Sequence, residues 1–211
     1  MNTLNHYFPY FFFGHLVGDY VLQNSYIAAK KGKDIRVLLL HTVIVFTAQL
    51  LVIVGKDFGL QEFIVVFLMS LLHFGIDYLK FLCKTEFCKT WYYYVFDQLL
   101  HLTTLFLATQ FVNVQPLLSR TIAVIFSTSV FNGYFLSILV HFIYSNGVYK
   151  RDYMGYILRM LAPFIYILNI YFFVIYAGVC FVVVCLRFSK SNLLNYLLTV
   201  FSTMIIMEVM L

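Results

Sequence analysis

Apolar runs of about twenty residues recur along the whole of this chain, and a helix of that length covers the ~30 Å hydrocarbon core of a bilayer. They fall at residues 7–29, 35–55, 62–83, 92–112, 121–145, 156–186 and 192–211. Only 11% of the residues are charged, against about 25% in a soluble domain, so a water-facing globule is excluded. The expected fold is all-α, a polytopic transmembrane helix bundle of about 6–7 spans. Short gaps make neighbours in sequence antiparallel neighbours in space. One integral-membrane domain over 1–211 is expected, with a motif-bearing part at 7–112 and accessory spans at 121–211. The sixth run is long enough to be tilted or broken as a hairpin, and Pro163 is its candidate kink point. The chain opens with no basic flank and no small-residue cleavage site, so the first span is expected to stay in the mature protein.

Orientation follows from the basic residues, because short cytoplasmic loops collect Lys and Arg. The first gap carries Lys30, Lys31, Lys33 and Arg36, the third Lys84 and Lys89, and the fifth Lys150 and Arg151. The second and fourth offer only Lys56 and Arg120. This alternation puts the N-terminus outside and the odd gaps in the cytoplasm. Arg187 and Lys190 disagree, since an unbroken sixth span would place them outside. Loop bases facing anionic headgroups account for the net charge of +5, so no nucleic-acid partner is expected.

Against this apolar background, three histidines stand four residues from an aspartate: His15 with Asp19, His73 with Asp77, and Asp97 with His101. One helical turn separates the partners, so each pair projects from one helix face. Ionisable groups in hydrocarbon are costly and mark functional sites. With the orientation above, His41, Asp77, Asp97 and Asp19 lie roughly 8–15 Å below the cytoplasmic boundary, with His73 and His101 one turn deeper and His15 deeper still. Imidazole nitrogen and carboxylate oxygen are ligands for Zn²⁺, and carboxylates also suit Mn²⁺ and Mg²⁺. His15, Asp19, His41, His73, Asp77, Asp97 and His101 make seven potential ligands, too many for one tetrahedral ion and about right for two. The competing readings are local hydrogen bonds within each pair, a buried ion pair of Asp77 with Lys80, and a metal-free proton relay.

Other polar residues follow the same geometry. Gln23 continues the His15–Asp19 stripe by one turn, while Gln98 points elsewhere on its helix. Arg159 either grips a phosphate through two hydrogen bonds or snorkels to the headgroups, and Lys80 has the same choice. His6 is expected to be interfacial. His141 lies near enough to the cytoplasmic end of the fifth span to join the site, but it has no acidic partner. Cys83 and Cys88 are expected as thiols of a reducing cytoplasm. No nucleophile elbow, phosphate loop or HExxH helix is present.

The segments His15-Leu16-Val17-Gly18-Asp19-Tyr20-Val21-Leu22-Gln23, Lys30, His41, His73-Phe74-Gly75-Ile76-Asp77-Tyr78-Leu79-Lys80 and Asp97-Gln98-Leu99-Leu100-His101 together resemble an uncharacterised bacterial inner-membrane family. That family is grouped with membrane-bound proteins read as metal-dependent hydrolases. These are similar in turn to the all-helical zinc-dependent phospholipase C and nuclease superfamily. The resemblance covers residues 11–101 and continues weakly to 154–159, where Leu158 replaces the family's usual Glu and Arg159 is retained.

The expectation is an integral-membrane, metal-dependent hydrolase of phosphoesters, using one or two divalent ions, Zn before Mn or Mg. Metals held by Asp19, Asp77 and Asp97 would lower the pKa of water, with Asp19 and Lys80 catalytic and Gln23 and Arg159 binding substrate. A site facing the cytoplasmic leaflet of the cell membrane points to a lipid or lipid-linked phosphate. The alternatives are an ion- or metal-coupled transporter or channel subunit, and a non-catalytic sensor or assembly factor.

Overall fold

The computed structural model describes residues 3–144 and 152–211. Lys150 and Arg151, whose charge helps to orient the chain, lie outside them. Among the described residues the fold is all-α apart from one short antiparallel pairing, β1 (Gly55–Lys56) with β2 (Gln115–Pro116). Four helices among them are long and apolar enough to cross a membrane: Ile35–Ile53, Leu60–Leu82, Arg120–Tyr144 and Lys190–Met210. The chain divides into two compact units, Met1–Ala123 and Val124–Leu211.

The first unit contains α1 (Thr3–Leu16), continued by a π-helical turn at Val17–Val21, then α2 (Ser25–Lys30), α3 (Ile35–Ile53), α4 (Leu60–Leu82) and α5 (Trp91–Ala108). α1 packs on α3, α3 on α4, α4 on α5, and α5 back on α1, which closes a ring of four helices. Polar caps set where they begin. Asp34 accepts from the Arg36 amide at the start of α3, Glu62 from the Gly59 amide at α4, and Thr90 from the Tyr93 amide at α5. The expected first span, 7–29, ends early. After Val21 the backbone leaves the helix, and Asn24 Oδ1 accepts from the Ile27 amide at 2.9 Å to start α2 afresh. Asp19 therefore lies in the last turn of its helix rather than ten residues inside a longer one.

Two glycines let α1 approach α3. A Cβ on Gly14 would come within 2.7 Å of Gln49 Oε1, and one on Gly18 within 2.9 Å of the Val45 Cα. This small-xxx-small spacing is a common device for close helix packing in membranes. Gln49 Nε2 then donates to the Phe11 carbonyl at 2.9 Å across the same seam. Between α4 and α5, Cys83 and Cys88 stand side by side, their Cα atoms 6.3 Å apart.

The second unit holds the end of α6 (Arg120–Val130), a π-helical turn at Phe131–Phe135, α7 (Leu136–Tyr144), α8 (Tyr153–Leu168), α9 (Ile170–Leu186) and α10 (Lys190–Met210). The sixth apolar run is broken, but at Asn169 and not at Pro163, which sits inside α8. Asn169 is extended, and its side chain accepts from the Tyr171 amide at 2.8 Å to cap α9. Contacts pair off on either side of this break: the rings of Tyr166 and Phe173 lie 5.2 Å apart, and the Tyr176 hydroxyl donates to the Leu158 carbonyl. α8 and α9 thus form an antiparallel hairpin. α10 packs against α7, α8 and α9 around Val124, Ile125 and Met207. It is tied to the π turn by Asn132 Nδ2 donating to Thr203 Oγ1 at 2.8 Å and Ser202 Oγ donating to Asn132 Oδ1 at 2.6 Å.

Candidate metal centre

The four-helix ring gathers its polar residues at one end. His41 lies six residues from the start of α3, Asp97 six from the start of α5, Asp77 five from the end of α4, and Asp19 two from the end of the π turn. These are all the same end of an antiparallel ring. His15, His73 and His101 lie one turn further in on their own helices. The three acids and His41 stand nearer the helix ends and the other three imidazoles deeper, which keeps the carboxylates closer to water. All seven side chains are buried.

The shortest contacts run across helices, and those within the sequence pairs are longer. Asp19 Oδ1 is 3.2 Å from His41 Nε2 and 3.4 Å from His73 Nε2, whereas Oδ2 is 3.8 Å from its own partner His15. The π turn widens the backbone at Asp19 and loosens that pair; such turns recur at functional sites. Asp77 Oδ2 is 3.3 Å from His41 Nε2 and 3.7 Å from His73 Nε2, and its Oδ1 is 3.6 Å from His101 Nε2. The rings of His73 and His101 lie 4.3 Å apart, and those of His15 and His101 5.1 Å.

Among the described residues, three groups offer ligand atoms within 4.8 Å of one another: His15, His73 and His101; Asp19, His41 and His73; Asp77, Asp97 and His101. The last two share no residue, and the first borrows one histidine from each. Asp77 faces both, with Oδ2 toward His41 and Oδ1 toward His101.

The donor set fits a divalent metal. Nε2 of His41 and Nε2 of His73 point at each other at 3.3 Å and both face Asp19 Oδ1, an arrangement with more acceptors than protons. Nδ1 of His41 and Nδ1 of His101 are buried without a hydrogen-bond partner. Each such atom costs about 1–3 kcal/mol. Ligation removes that cost at every nitrogen or oxygen that binds the ion.

Lysines complete the charge. Lys31 Nζ, carried in on the turn after α2, is 3.2 Å from Asp77 Oδ2 and 3.0 Å from His41 Nε2. Burial alone would depress its pKa, but the Asp77 and Asp19 carboxylates outweigh burial and raise it above the ordinary lysine value. Lys80 pairs with Asp97 at 2.7 Å and not with Asp77, so the alternative ion pair read from the spacing of α4 is not the one formed. Asp97 Oδ2 also accepts from Gln98 Nε2 at 3.3 Å, and Gln98 Oε1 accepts from the Tyr20 hydroxyl, itself 2.7 Å from the Tyr94 hydroxyl. This buried network ties the π turn to α5. Lys31, Tyr20 and Tyr94 were not legible as site residues: Lys31 looks like one loop base among several, and the tyrosines look like membrane-belt aromatics.

Gln23 is off the helix, in the turn before α2, so the stripe ends at Asp19; its Oε1 is buried without a partner. Arg159 lies on α8 of the second unit, with Nη1 4.0 Å from Asp152 Oδ2. His141 lies on α7 of that unit and belongs to none of the three groups.

A family model described as "Protein of unknown function (DUF3307)" matches residues 7–130, which include every side chain of the three groups. No curated protein and no solved structure matches the chain.

Proposed function

Since the chain belongs to the DUF3307 family, whose description names no activity, we propose from geometry that it is an integral-membrane, metal-dependent hydrolase of phosphoesters. The observation that carries this reading is the pair of separate His/Asp groups faced by the two oxygens of Asp77. Two-metal sites suit in-line displacement at phosphorus. Zn²⁺ fits the histidine-rich group, and Mn²⁺ or Mg²⁺ the acid-rich one. His15, Asp19, His41, His73, Asp77, Asp97 and His101 hold one or two such ions. A divalent ion held there would supply Lewis acidity toward a phosphoryl oxygen and water. Asp19 would keep Oδ1 toward His41 and His73, take the proton of the attacking water on Oδ2, and return it to the leaving-group oxygen as its bond to phosphorus breaks. Lys31 and Lys80 offset charge on the phosphoryl oxygens. Gln23, with its buried and unsatisfied Oε1, orients the substrate.

The substrate reading follows from the setting. Long apolar helices carry the site near one end of their ring, so a lipid or lipid-linked phosphate reaches it from the headgroup layer. We place that end at the cytoplasmic leaflet of a bacterial cell membrane because Lys30, Lys31 and Lys33 cluster there. The lower figure of the expected 6–7 spans is reached by adding α1 with its π turn and α5 to the four long helices, with the α8–α9 hairpin entering and leaving on one side. The hairpin returns Arg187 and Lys190 to the end at which Asp152 lies, directly after Lys150 and Arg151 in sequence. This supports a cytoplasmic placement of both basic pairs.

The test is elemental analysis of detergent-purified protein beside Asp77→Asn, with phospholipids and lipid-linked phosphates assayed for release of phosphate. The expected result is one to two equivalents of metal and turnover in the wild type, both lost in the variant. Equal metal in both proteins would sink the reading. A second reading, metal-coupled transport, draws on the broken α8–α9 segment, since transporters use discontinuous helices. Metal flux in proteoliposomes without phosphoester turnover would favour it.

A further inference from the structure

The second unit contains a cavity of about 280 Å³ between α8, α9 and α10, and its two ends differ in chemistry. At one end stand Arg159, Arg187, Asn192 and Asp152; the other is closed by apolar groups such as Ala162, Phe173 and Ala177. Among the described residues, two arginines and one aspartate line that end, which gives it net positive charge. Gly155 makes room for it: a Cβ there would come within 2.1 Å of Asp152 Oδ2 and 2.7 Å of Arg159 Nη1. Arg159 is nearly buried at 11% side-chain exposure, while Arg187 is exposed at the end of α9, its carbonyl accepting from Asn192 Nδ2 at 2.8 Å. The outer faces of the hairpin are apolar and exposed, at Ile157, Leu161, Val179 and Val182 among others. Surface of that kind in a membrane protein faces acyl chains.

We propose that this cavity is a binding site for an acidic phospholipid drawn from the bilayer, its phosphate held by Arg159 and Arg187 and one acyl chain entering the apolar end. Guanidinium is suited to phosphate through paired, charge-assisted hydrogen bonds. The volume is at the low end for ligand pockets and takes a headgroup with part of one chain. The remaining hydrocarbon lies along the apolar outer face of α8 and α9. An amphiphile matches both the charge gradient and the surroundings, whereas a water-soluble anion would leave the apolar end unused. The proposal rests on the second unit alone and is independent of the metal reading.

The test is native mass spectrometry of the full chain in detergent, titrated with phosphatidylglycerol and with phosphatidylcholine of matched chain length. Phosphatidylglycerol should saturate an Arg187-dependent site at least tenfold more tightly than phosphatidylcholine does. Arg187→Ala should weaken it about tenfold, while Arg187→Lys should keep most of the affinity. Arg187 is exposed, so neither change touches the packed core; a thermal melt of each variant checks this. Millimolar inorganic phosphate should not displace the lipid. Equal binding of the two lipids, an unchanged affinity in Arg187→Ala, or displacement by inorganic phosphate alone would each overturn the proposal. Asp77→Asn should bind phosphatidylglycerol like the wild type, so the metal reading can fail without this one. Loss of lipid binding in that variant would place the lipid elsewhere and overturn the proposal as well.

Discussion

Lys31 and Lys80 are both cations among buried acids, yet they stand differently. Lys31 touches Asp77 and His41, two residues of the metal-ligand type, whereas Lys80 is one-third exposed and holds Asp97 from outside. Lys31→Ala is therefore expected to retain metal while lowering phosphoester turnover about a hundredfold, as loss of one electrostatic donor does. Elemental analysis run beside steady-state rates checks this, and loss of the metal would make Lys31 a structural prop instead. Lys80→Ala leaves Asp97 buried with only Gln98, at a cost of about 1–3 kcal/mol, toward the low end because water reaches the pair. Adding Asp97→Asn should recover most of that loss in a thermal melt. If the double variant is no more stable than Lys80→Ala, the pair carries no stability.

The geometry of the site depends at the next scale on how α1 meets α3. Gly18 lies between His15 and Asp19's own turn, with Val45 directly against it. Gly18→Leu should push the helices apart, costing about 1–3 kcal/mol and releasing metal together with stability. Gly75 is the control. Nothing lies within 4 Å of a Cβ placed there, so Gly75→Ala should be neutral or stabilise α4 by about 0.5–1 kcal/mol. Thermal unfolding of the two variants side by side separates packing from helix propensity, and equal losses would refute the close-packing account. The breaks between elements were only partly legible. A run of apolar residues reveals a span, but Asn24 and Asn169 interrupt two of them by capping a new helix, and one polar residue barely changes a hydropathy average. The proline, the stronger signal in the sequence, is absorbed inside α8.

For the whole molecule, the orientation is testable by labelling. α3 separates Lys33 from Lys56 by 19 helical residues, about 28 Å of rise, enough to put them on opposite faces of a membrane. Lys33→Cys is expected to react with an impermeant reagent only from the cytoplasmic side and Lys56→Cys only from the other. Reaction of both from one side would reverse or abolish the proposed topology. By itself the sequence determined that the chain is helical and apolar enough for a membrane, and which seven side chains could ligate, because hydropathy and the i, i+4 spacing are local properties. Which helix faces which was decided only in three dimensions. Asp19 reaches His41 and His73 in preference to His15, Asp77 turns one oxygen to each group, and Lys31 arrives from a turn that looks like any other basic loop. The physical reason is that such contacts form between chain segments 22 to 54 residues apart, through backbone approaches that two glycines permit, and no local pattern encodes the partner across that gap.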